Sequence, residues 1–246
     1  MQNKTEEIVF FDSWSESKIY REFGHFTPYG HNSIIREFEK LIGARLKKGC
    51  RAIDLGCGAG AFTRRLFAHS EAECYGVDIS QGLVRAACEF GNGVHYMVGD
   101  IEQLSFRDNT FDVVIFSGVL HHFPQQKKCL EEGFRILKKG GCLIAYDPNI
   151  KNPFMWFYKE GSAALFSKQG QTENEKIFSK QEAESMLKMN GFKNVKISCI
   201  SGVTFKYVGS RAGMLLLPVY NGIEYLLGKL PLASSYGSFL ISYGEK

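Results

Sequence analysis

The hydrophobic positions of this chain alternate between short apolar runs and longer segments with a helical period. Apolar runs that predict strands cover residues 51–55, 73–79, 94–98, 111–116, 142–147, 195–200 and 238–244. Helical patterns lie between them, at about 61–69, 82–90, 125–137 and 180–190. Runs rich in valine and isoleucine that alternate with helices are typical of parallel strands covered on both faces. The pattern therefore predicts an α/β fold with an open, doubly wound, mostly parallel sheet of seven strands.

Two regions do not follow this alternation of strands and helices. Residues 1–45 predict an N-terminal helical cap rich in aromatic side chains, and residues 46–246 form the main domain, with helical insertions at about 151–178 and 202–235. The aromatic residues of the cap and of the first insertion have two interpretations: lids over the carboxyl ends of the strands, or ordinary core packing. Both interpretations stay open at this point.

The second insertion is apolar on nearly every side of its helical pattern, at residues 214–217, 219, 223 and 225–227. Such a helix is buried, or it faces lipid or a protein partner. We favour core packing or a homodimer interface over contact with a membrane surface. A hydrophobic or lipid-linked ligand is the minority interpretation.

Composition sets broad limits on function. The chain has 246 residues, 44% of them hydrophobic, and a formal net charge of +4, which suits one globular unit. It has no run of five basic residues and no apolar stretch long enough to span a membrane, so we expect a soluble, cytoplasmic protein that does not bind nucleic acid. Its seven cysteines have no C-x-x-C spacing, which predicts reduced thiols and no metal site.

The first predicted strand runs into a glycine-rich loop, AIDLGCGAG. Gly56, Gly58 and Gly60 allow a sharp turn that brings a ligand against bare backbone at the start of a helix. Dinucleotide-binding loops have the spacing G-x-G-x-x-G, whereas this loop has G-x-G-x-G with Asp54 just before it. A tighter loop with an upstream carboxylate favours a smaller, cationic ligand.

Two more acids follow the next two strands. Asp78 ends the second strand, where a carboxylate either accepts hydrogen bonds from ribose hydroxyls or caps the following helix. The spacing to the glycine loop favours the ribose. Asp100 follows Gly99 after the third strand, where it either accepts from an adenine amino group with Ile101 against the base, or belongs to a simple turn.

This ordered series resembles the class I S-adenosylmethionine-dependent methyltransferases, and most closely their small-molecule branch with its ubiquinone- and menaquinone-type enzymes. The similarity covers about residues 51–149 and includes FDVVIFSGVLHHF and RILKKGGCLIAYDPN. It implies a Rossmann-like sheet and S-adenosylmethionine as cofactor. The cofactor site that the resemblance implies consists of Asp54, Gly56, Cys57, Gly58, Gly60, Asp78, Ile79, Asp100, Ile101, Ser117 and Leu120. Within it, Asp54 would lie near the ammonium group.

Catalytic residues are less well marked. His121 is the candidate general base, because a neutral imidazole is available near physiological pH. The His121-His122 pair also has a purely structural interpretation, as a strand terminator. Candidate substrate contacts are Tyr20, Tyr29, His122 and Tyr158.

The sequence thus predicts a methyltransferase with a small-molecule acceptor. Nucleic-acid amino-methyltransferases carry an Asn/Asp-Pro-Pro-Tyr-like tetrapeptide after strand four, and this chain has Ser117-Gly-Val-Leu there. Two alternatives remain at this stage: a non-catalytic scaffold or regulator with a nucleotide-binding fold, and a nicotinamide-dependent oxidoreductase.

Overall fold

The computed structural model describes residues 4–17, 25–91, 93–159, 175–208, 211–229 and 235–246, without the side chains of 157, 158 and 212. Within these ranges seven strands form one sheet in the order β3-β2-β1-β4-β5-β7-β6. The strands are β1 (Arg51–Leu55), β2 (Glu73–Asp78), β3 (His95–Val98), β4 (Phe111–Ser117), β5 (Leu137–Pro148), β6 (Lys193–Ile200) and β7 (Phe239–Glu245). Strand β7 is antiparallel to both neighbours, and the pairs among β1 to β5 are parallel.

Helices cover both faces of this sheet. Those in the described ranges are α1 (Lys4–Trp14), α2 (Pro28–Ile42), α3 (Ala61–Leu66), α4 (Gln81–Cys88), α5 (Lys127–Ile136), α6 (Pro153–Lys159), α7 (Lys180–Met189) and α8 (Arg211–Leu227). Successive residues of a strand point to opposite faces, so a sheet covered on both sides needs continuous apolar strands. In β4, Val113 and Ile115 belong to one buried cluster and Val114 and Phe116 to the other.

The order of the strands reverses between β1 and β4. In an open α/β sheet the crevice at such a reversal, beyond the carboxyl ends of the strands, is where ligands bind. The carboxyl ends of β1 to β5 lie on this edge because those strands are parallel. Strand β7 runs the other way, so its first residue, Phe239, lies on the same edge.

The N-terminal cap contains two helices in its described part. Thr27 caps α2 by accepting the Gly30 N–H, and Pro28 occupies the first turn, where its missing N–H costs nothing. One face of α2, including Ile34 and Phe38, is fully buried against the sheet.

Helix α1 packs through Phe11 on Ala59, Leu83 and Ala86, and polar contacts also hold it. Its Asp12 accepts hydrogen bonds from the Ser80 hydroxyl and the Gly82 N–H at the start of α4. Free N–H groups at a helix start favour a carboxylate there. The cap therefore contacts the main domain close to the crevice.

The two insertions contribute α6 and α8. A fully buried carboxylate, Glu224 of α8, accepts hydrogen bonds from the Gly202 N–H at 2.9 Å, the Ser238 hydroxyl at 3.1 Å and the Asn152 amide at 3.2 Å. These bonds hold α8 to the start of α6 and to the residue before β7. Of the helices within the described ranges, none combines the length and apolarity that crossing a bilayer takes.

The predicted sheet is confirmed in strand number, in its mostly parallel pairing and in its flanking helices. The position of β5 differs: the sequence predicts a helix up to residue 137 and a strand from 142, whereas the strand begins at Leu137. The pairing shifts between Phe111 and Val113, and Gly140 has a φ of +77°. Glycine adopts this left-handed conformation readily, so the strand continues through an irregularity that reads as a turn in the sequence.

Candidate functional site

The crevice opens into a cavity of about 580 Å³. Its floor consists of the residues that follow β1 to β5, and its other walls come from α1, α6 and α8. Cavities of several hundred Å³ hold small molecules and cofactors. The cap and both insertions thus close over the sheet edge where the strand order reverses.

The glycine loop forms one end of the cavity. Gly56, Gly58 and Gly60 have φ angles of +80°, +53° and +71°, which glycine adopts without the steric cost that a side chain imposes. The N–H groups of Gly56 and Cys57 both donate to the Val77 carbonyl, at 2.7 and 3.0 Å. This turn places Gly60 at the start of α3.

A side chain would meet different neighbours at each of the three glycines. A Cβ on Gly56 would lie 2.5 Å from the Val119 side chain, and a Cβ on Gly60 would lie 2.5 Å from the Tyr96 hydroxyl. A Cβ on Gly58 would meet only a Leu83 methyl at 4.0 Å. The sequence interpretation, that all three glycines make room for a ligand, is therefore too simple: two of them make room for the chain's own side chains.

Asp54, at the end of β1, is fully buried. Its Oδ2 accepts hydrogen bonds from the Thr63 hydroxyl at 2.6 Å and the Ser117 hydroxyl at 3.0 Å. Its Oδ1 has no hydrogen-bond partner among the described residues. Burial raises the pKa of Asp54 to about 6, because the carboxylate loses its hydration. A buried acceptor with a free oxygen fits a cationic donor such as an ammonium group.

Asp78, at the end of β2, lines the cavity and is nearly buried. Its two oxygens accept the N–H groups of Gly58 at 2.8 Å and Ser80 at 2.9 Å, so it ties the glycine loop to the start of α4. Burial raises its pKa. The cap of α4 is Ser80, whose hydroxyl accepts the Leu83 N–H. Asp78 is thus not the helix cap, and each of its oxygens has further acceptor capacity.

Asp100 and Ile101, after β3, also line the cavity. Asp100 accepts the Glu102 N–H with Oδ1, and its Oδ2 forms an ion pair with the Lys4 ammonium at 2.5 Å. Lys4 also pairs with Glu102 at 2.6 Å. The first turn of α1 is thus attached to the carboxylate that the sequence assigns to an adenine amino group.

His121 and Asp147 form a buried pair at the other strand ends. Oδ1 of Asp147 accepts the His121 backbone N–H at 3.0 Å and lies 2.9 Å from ring Nδ1. Because this oxygen already acts as an acceptor, we assign the ring proton to Nδ1, which leaves the lone pair on Nε2. Burial lowers the pKa of His121 well below 6.5 and raises that of Asp147.

His122 lines the cavity beside His121, because the two residues belong to a short 3₁₀ turn and not to a regular strand. Its Nδ1 lies 3.9 Å from a Glu7 carboxylate oxygen and 3.7 Å from one of Glu175. Both glutamates are almost fully buried, and Glu175 also pairs with Lys159 at 2.7 Å. The centre of the cavity is therefore polar.

The remaining wall is apolar and largely aromatic. Its members come from the N-terminal region, the insertions and the start of β7: Phe26, Phe154, Met155, Phe205, Tyr207, Val208, Leu216, Leu217, Tyr220 and Phe239. Aromatic side chains bury large areas of an apolar ligand. This part of the cavity, which we call the apolar chamber, fits the hydrophobic body of a small molecule.

The predicted site residues fall into four groups. The structure brings the following to the cavity wall: Gly56, Cys57, Gly58, Asp78, Ile79, Asp100, Ile101, Ser117, His121 and His122. Asp54, Gly60 and Leu120 are buried but do not line the cavity. Tyr29 lies outside the wall, half-exposed and 5.4 Å from the Tyr225 ring. Tyr20 and the side chain of Tyr158 lie outside the described residues.

Sequence reasoning missed Asp147, Glu7 and Glu175. The signal for Asp147 is its place in Asp-Pro-Asn at the end of β5, the same strand-end position that marks Asp54 and Asp78. Nothing in the local sequence marks Glu7 or Glu175, since only the packing of α1 and of the last residues of the first insertion brings them to His122.

Residues 53–145 match the family model described as "Methyltransferase domain". The sequence is 31% identical over 137 residues to the Uncharacterized methyltransferase YcgJ of Bacillus subtilis, covering 49% of this chain and 54% of that protein. It is 27% identical over 207 residues to a Demethylmenaquinone methyltransferase of Staphylococcus aureus, covering 76% and 85%. The chain spans about half the length, or less, of the first curated relatives it matches.

The fold matches that of a solved structure from Thermotoga maritima, a SAM-dependent methyltransferase described as a possible histamine N-methyltransferase. The TM-score is 0.64 at 20% identity, over 99% of this chain and 98% of that one. The predicted Rossmann-like methyltransferase fold and the predicted family resemblance are confirmed. The comparisons support neither a nicotinamide-dependent oxidoreductase nor a scaffold.

We expect Gly56→Ala to destabilise the protein more than Gly49→Ala. Both glycines have φ near +80°, which costs an alanine about 1–2 kcal/mol. Only the Cβ at residue 56 also meets Val119, whereas the Cβ at residue 49 meets nothing within 4 Å. Chemical denaturation measures the difference, which we expect to be about 1–3 kcal/mol. Equal losses for the two variants would contradict the contact with Val119.

We expect Asp54→Asn to stabilise the ligand-free protein at pH 8, by about 1–3 kcal/mol. Burial raises the pKa of Asp54 from its ordinary value of 3.8 to about 6 in the folded state, so the folded protein loses stability as pH rises through this window. The advantage of the asparagine variant should vanish below the lower pKa. Urea titrations at several pH values measure it. The control, Asp108→Asn at an exposed ion pair, should change stability by less than about 1 kcal/mol.

Proposed function

We propose, from the match of residues 53–145 to a methyltransferase domain, that this chain transfers a methyl group from S-adenosylmethionine to a small acceptor with an apolar body. One observation carries the proposal. One cavity is lined by Gly56 and Gly58 of the glycine loop, by the strand-end acids Asp78 and Asp100, by the His121 side chain and by the apolar chamber.

The residues at the glycine-loop end fit S-adenosylmethionine. When bound, this cofactor supplies a methyl group made electrophilic by a positively charged sulfur. Asp54 offers a buried carboxylate oxygen to a cationic group, and Gly58 offers backbone without a Cβ toward the cavity. Asp78 has acceptor capacity for ribose hydroxyls, and Asp100 with Ile101 would face the adenine. These assignments follow the predicted series of strand-end acids.

The buried acids also favour a cationic cofactor electrostatically. Burial raises the pKa values of Asp54 and Asp78. Ionising either carboxyl group therefore costs free energy in the ligand-free protein. A bound cation compensates this cost, and a ligand with an anionic pyrophosphate would increase it. The charge of the site therefore argues against a nicotinamide dinucleotide.

His121 is proposed as the general base. With its Nδ1 proton held by Asp147, the ring presents the Nε2 lone pair to a nucleophile that must lose a proton. Asp147 acts as a positioning residue, since it fixes both the ring and its tautomer. The surrounding apolar wall excludes water from the transfer.

The acceptor proposed here has one nucleophilic group and an apolar body. The apolar chamber would hold the body, while His122, Glu7 and Glu175 would contact its polar end. A relative named a demethylmenaquinone methyltransferase supports an acceptor of the quinone or isoprenoid kind. No feature of the cavity favours a nucleic acid.

Isothermal calorimetry with S-adenosylmethionine, S-adenosylhomocysteine and NADH tests the proposal. We expect both sulfur nucleosides to bind and NADH to give no heat. Incubation with methyl-labelled S-adenosylmethionine and a lipid extract should then move label into the organic phase. Binding without transfer to any extract would favour a scaffold, and binding of NADH alone would contradict the proposed function.

We expect His121→Ala to lower the turnover of label transfer by about 10²–10⁴-fold, since positioned general bases contribute that much. The matched control is His69→Ala, at an exposed histidine that does not line the cavity. In the unmodified protein the rate should stay level as pH falls through 6.5, because the lowered pKa keeps His121 neutral there. A loss of turnover with a midpoint at or above 6.5 would contradict this role.

A further inference from the structure

We propose that the outer face of α8 docks on the surface of an anionic lipid bilayer. The outer face comprises Leu215, Val219, Gly222 and Leu226, which recur on one side of the helix. A corollary rests on the proposed function: the methyl acceptor is an amphiphilic lipid that reaches the cavity from this surface.

The outer face is apolar and open to solvent. Leu215 is 81% exposed, Leu226 61% and Val219 60%. Four more residues extend the surface on either side with exposures of 37% to 44%: Met214, Leu216, Ile223 and Tyr225. Scattered exposed apolar residues are normal, but a contiguous apolar surface of this kind marks an interaction site.

The opposite face of α8 is part of the cavity wall. Leu217 and Tyr220 line the apolar chamber and are buried, and Glu224 anchors the helix beneath. Leu216 belongs to both surfaces, because it lines the cavity and is 44% exposed. One helix therefore separates the apolar chamber from the outer face, and the apolar surface is continuous around its edge.

The charges beside the outer face favour an anionic lipid surface. In the sequence of residues 201–238 the charged residues are Lys206, Arg211, Lys229 and Glu224. Glu224 is fully buried, whereas the three cations are exposed. Arg211 begins α8 and Lys229 follows its end, so a cation flanks the apolar stripe at each end. Long basic side chains at the ends of an apolar stripe reach anionic headgroups while the stripe enters the interface.

The geometry is that of a helix lying in the interface. Helix α8 has 17 residues, and its inner side is packed on the protein, so it presents one apolar side only. Interfacial helices insert such a side about 5–10 Å, to the boundary between headgroups and acyl chains. A second copy of this chain is a less favourable occupant, since it would bring the exposed cations of two such segments together.

Vesicle sedimentation tests the proposal without cofactor or acceptor. The full chain is mixed with vesicles of phosphatidylcholine and phosphatidylglycerol in equal parts, and with vesicles of phosphatidylcholine alone. We expect sedimentation with the anionic vesicles, weakened by added salt, and at least about tenfold weaker partitioning for Leu215→Glu. The matched control is Met189→Glu, which adds the same charge at an apolar residue of α7 that is 80% exposed; it should partition like the unmodified chain.

Three outcomes would overturn the proposal. The chain could remain in the supernatant with both vesicles, or the Leu215 and Met189 variants could partition alike. In the third outcome, sedimentation velocity would show that the unmodified chain is a dimer and that the Leu215→Glu variant is a monomer. The outer face would then be an interface between two copies of the chain. A failure of the proposed function is recognised separately, because it removes the calorimetric binding of S-adenosylmethionine and leaves vesicle binding as it is.

Discussion

The burial of carboxylates at one edge of a parallel sheet is the constraint on which the rest of this structure depends. The carboxyl ends of β1, β2 and β3 lie at one edge of the sheet because these strands are parallel, so Asp54, Asp78 and Asp100 come to the same edge. Each takes its hydrogen bonds from hydroxyls, backbone N–H groups or the Lys4 ammonium. Asp54 keeps an oxygen without any partner among the described residues. A buried carboxylate oxygen without a hydrogen-bond partner favours a cationic ligand, and the proposed role of Asp54 rests on this oxygen.

The N-terminal cap and the two insertions pack over this same edge of the sheet. Helix α1 contacts Asp100 through Lys4 and the start of α4 through Asp12, so it closes the glycine-loop end of the cavity. Helices α6 and α8 close the apolar chamber, with Glu224 as their common anchor. The two sequence interpretations of the aromatic segments thus both hold in part. Phe38 of the cap is pure core, while Phe11 and Trp14 line the cavity.

The sheet and the glycine-loop end of the cavity could be predicted from sequence because their signals are local. Valine-rich strands, positive-φ glycines and an acid at a strand end each depend on neighbours within a few residues. The opposite end of the cavity could not, because it is assembled from distant segments. Glu7 and Glu175 reach His122 only through the packing of α1 and of the last residues of the first insertion. Even in the glycine loop, sequence spacing could not reveal that Val119 and Tyr96 occupy the space beside Gly56 and Gly60.

Carboxyl-carbon NMR of the Asp54 side chain, titrated with and without S-adenosylmethionine, tests the central claim most directly. In the ligand-free protein we predict a midpoint near pH 6, since burial raises the pKa to about 6. Saturating cofactor should lower that midpoint clearly, because a bound cation stabilises the ionised carboxylate. An ordinary midpoint in the ligand-free protein, or one that the cofactor leaves unchanged, would contradict the account.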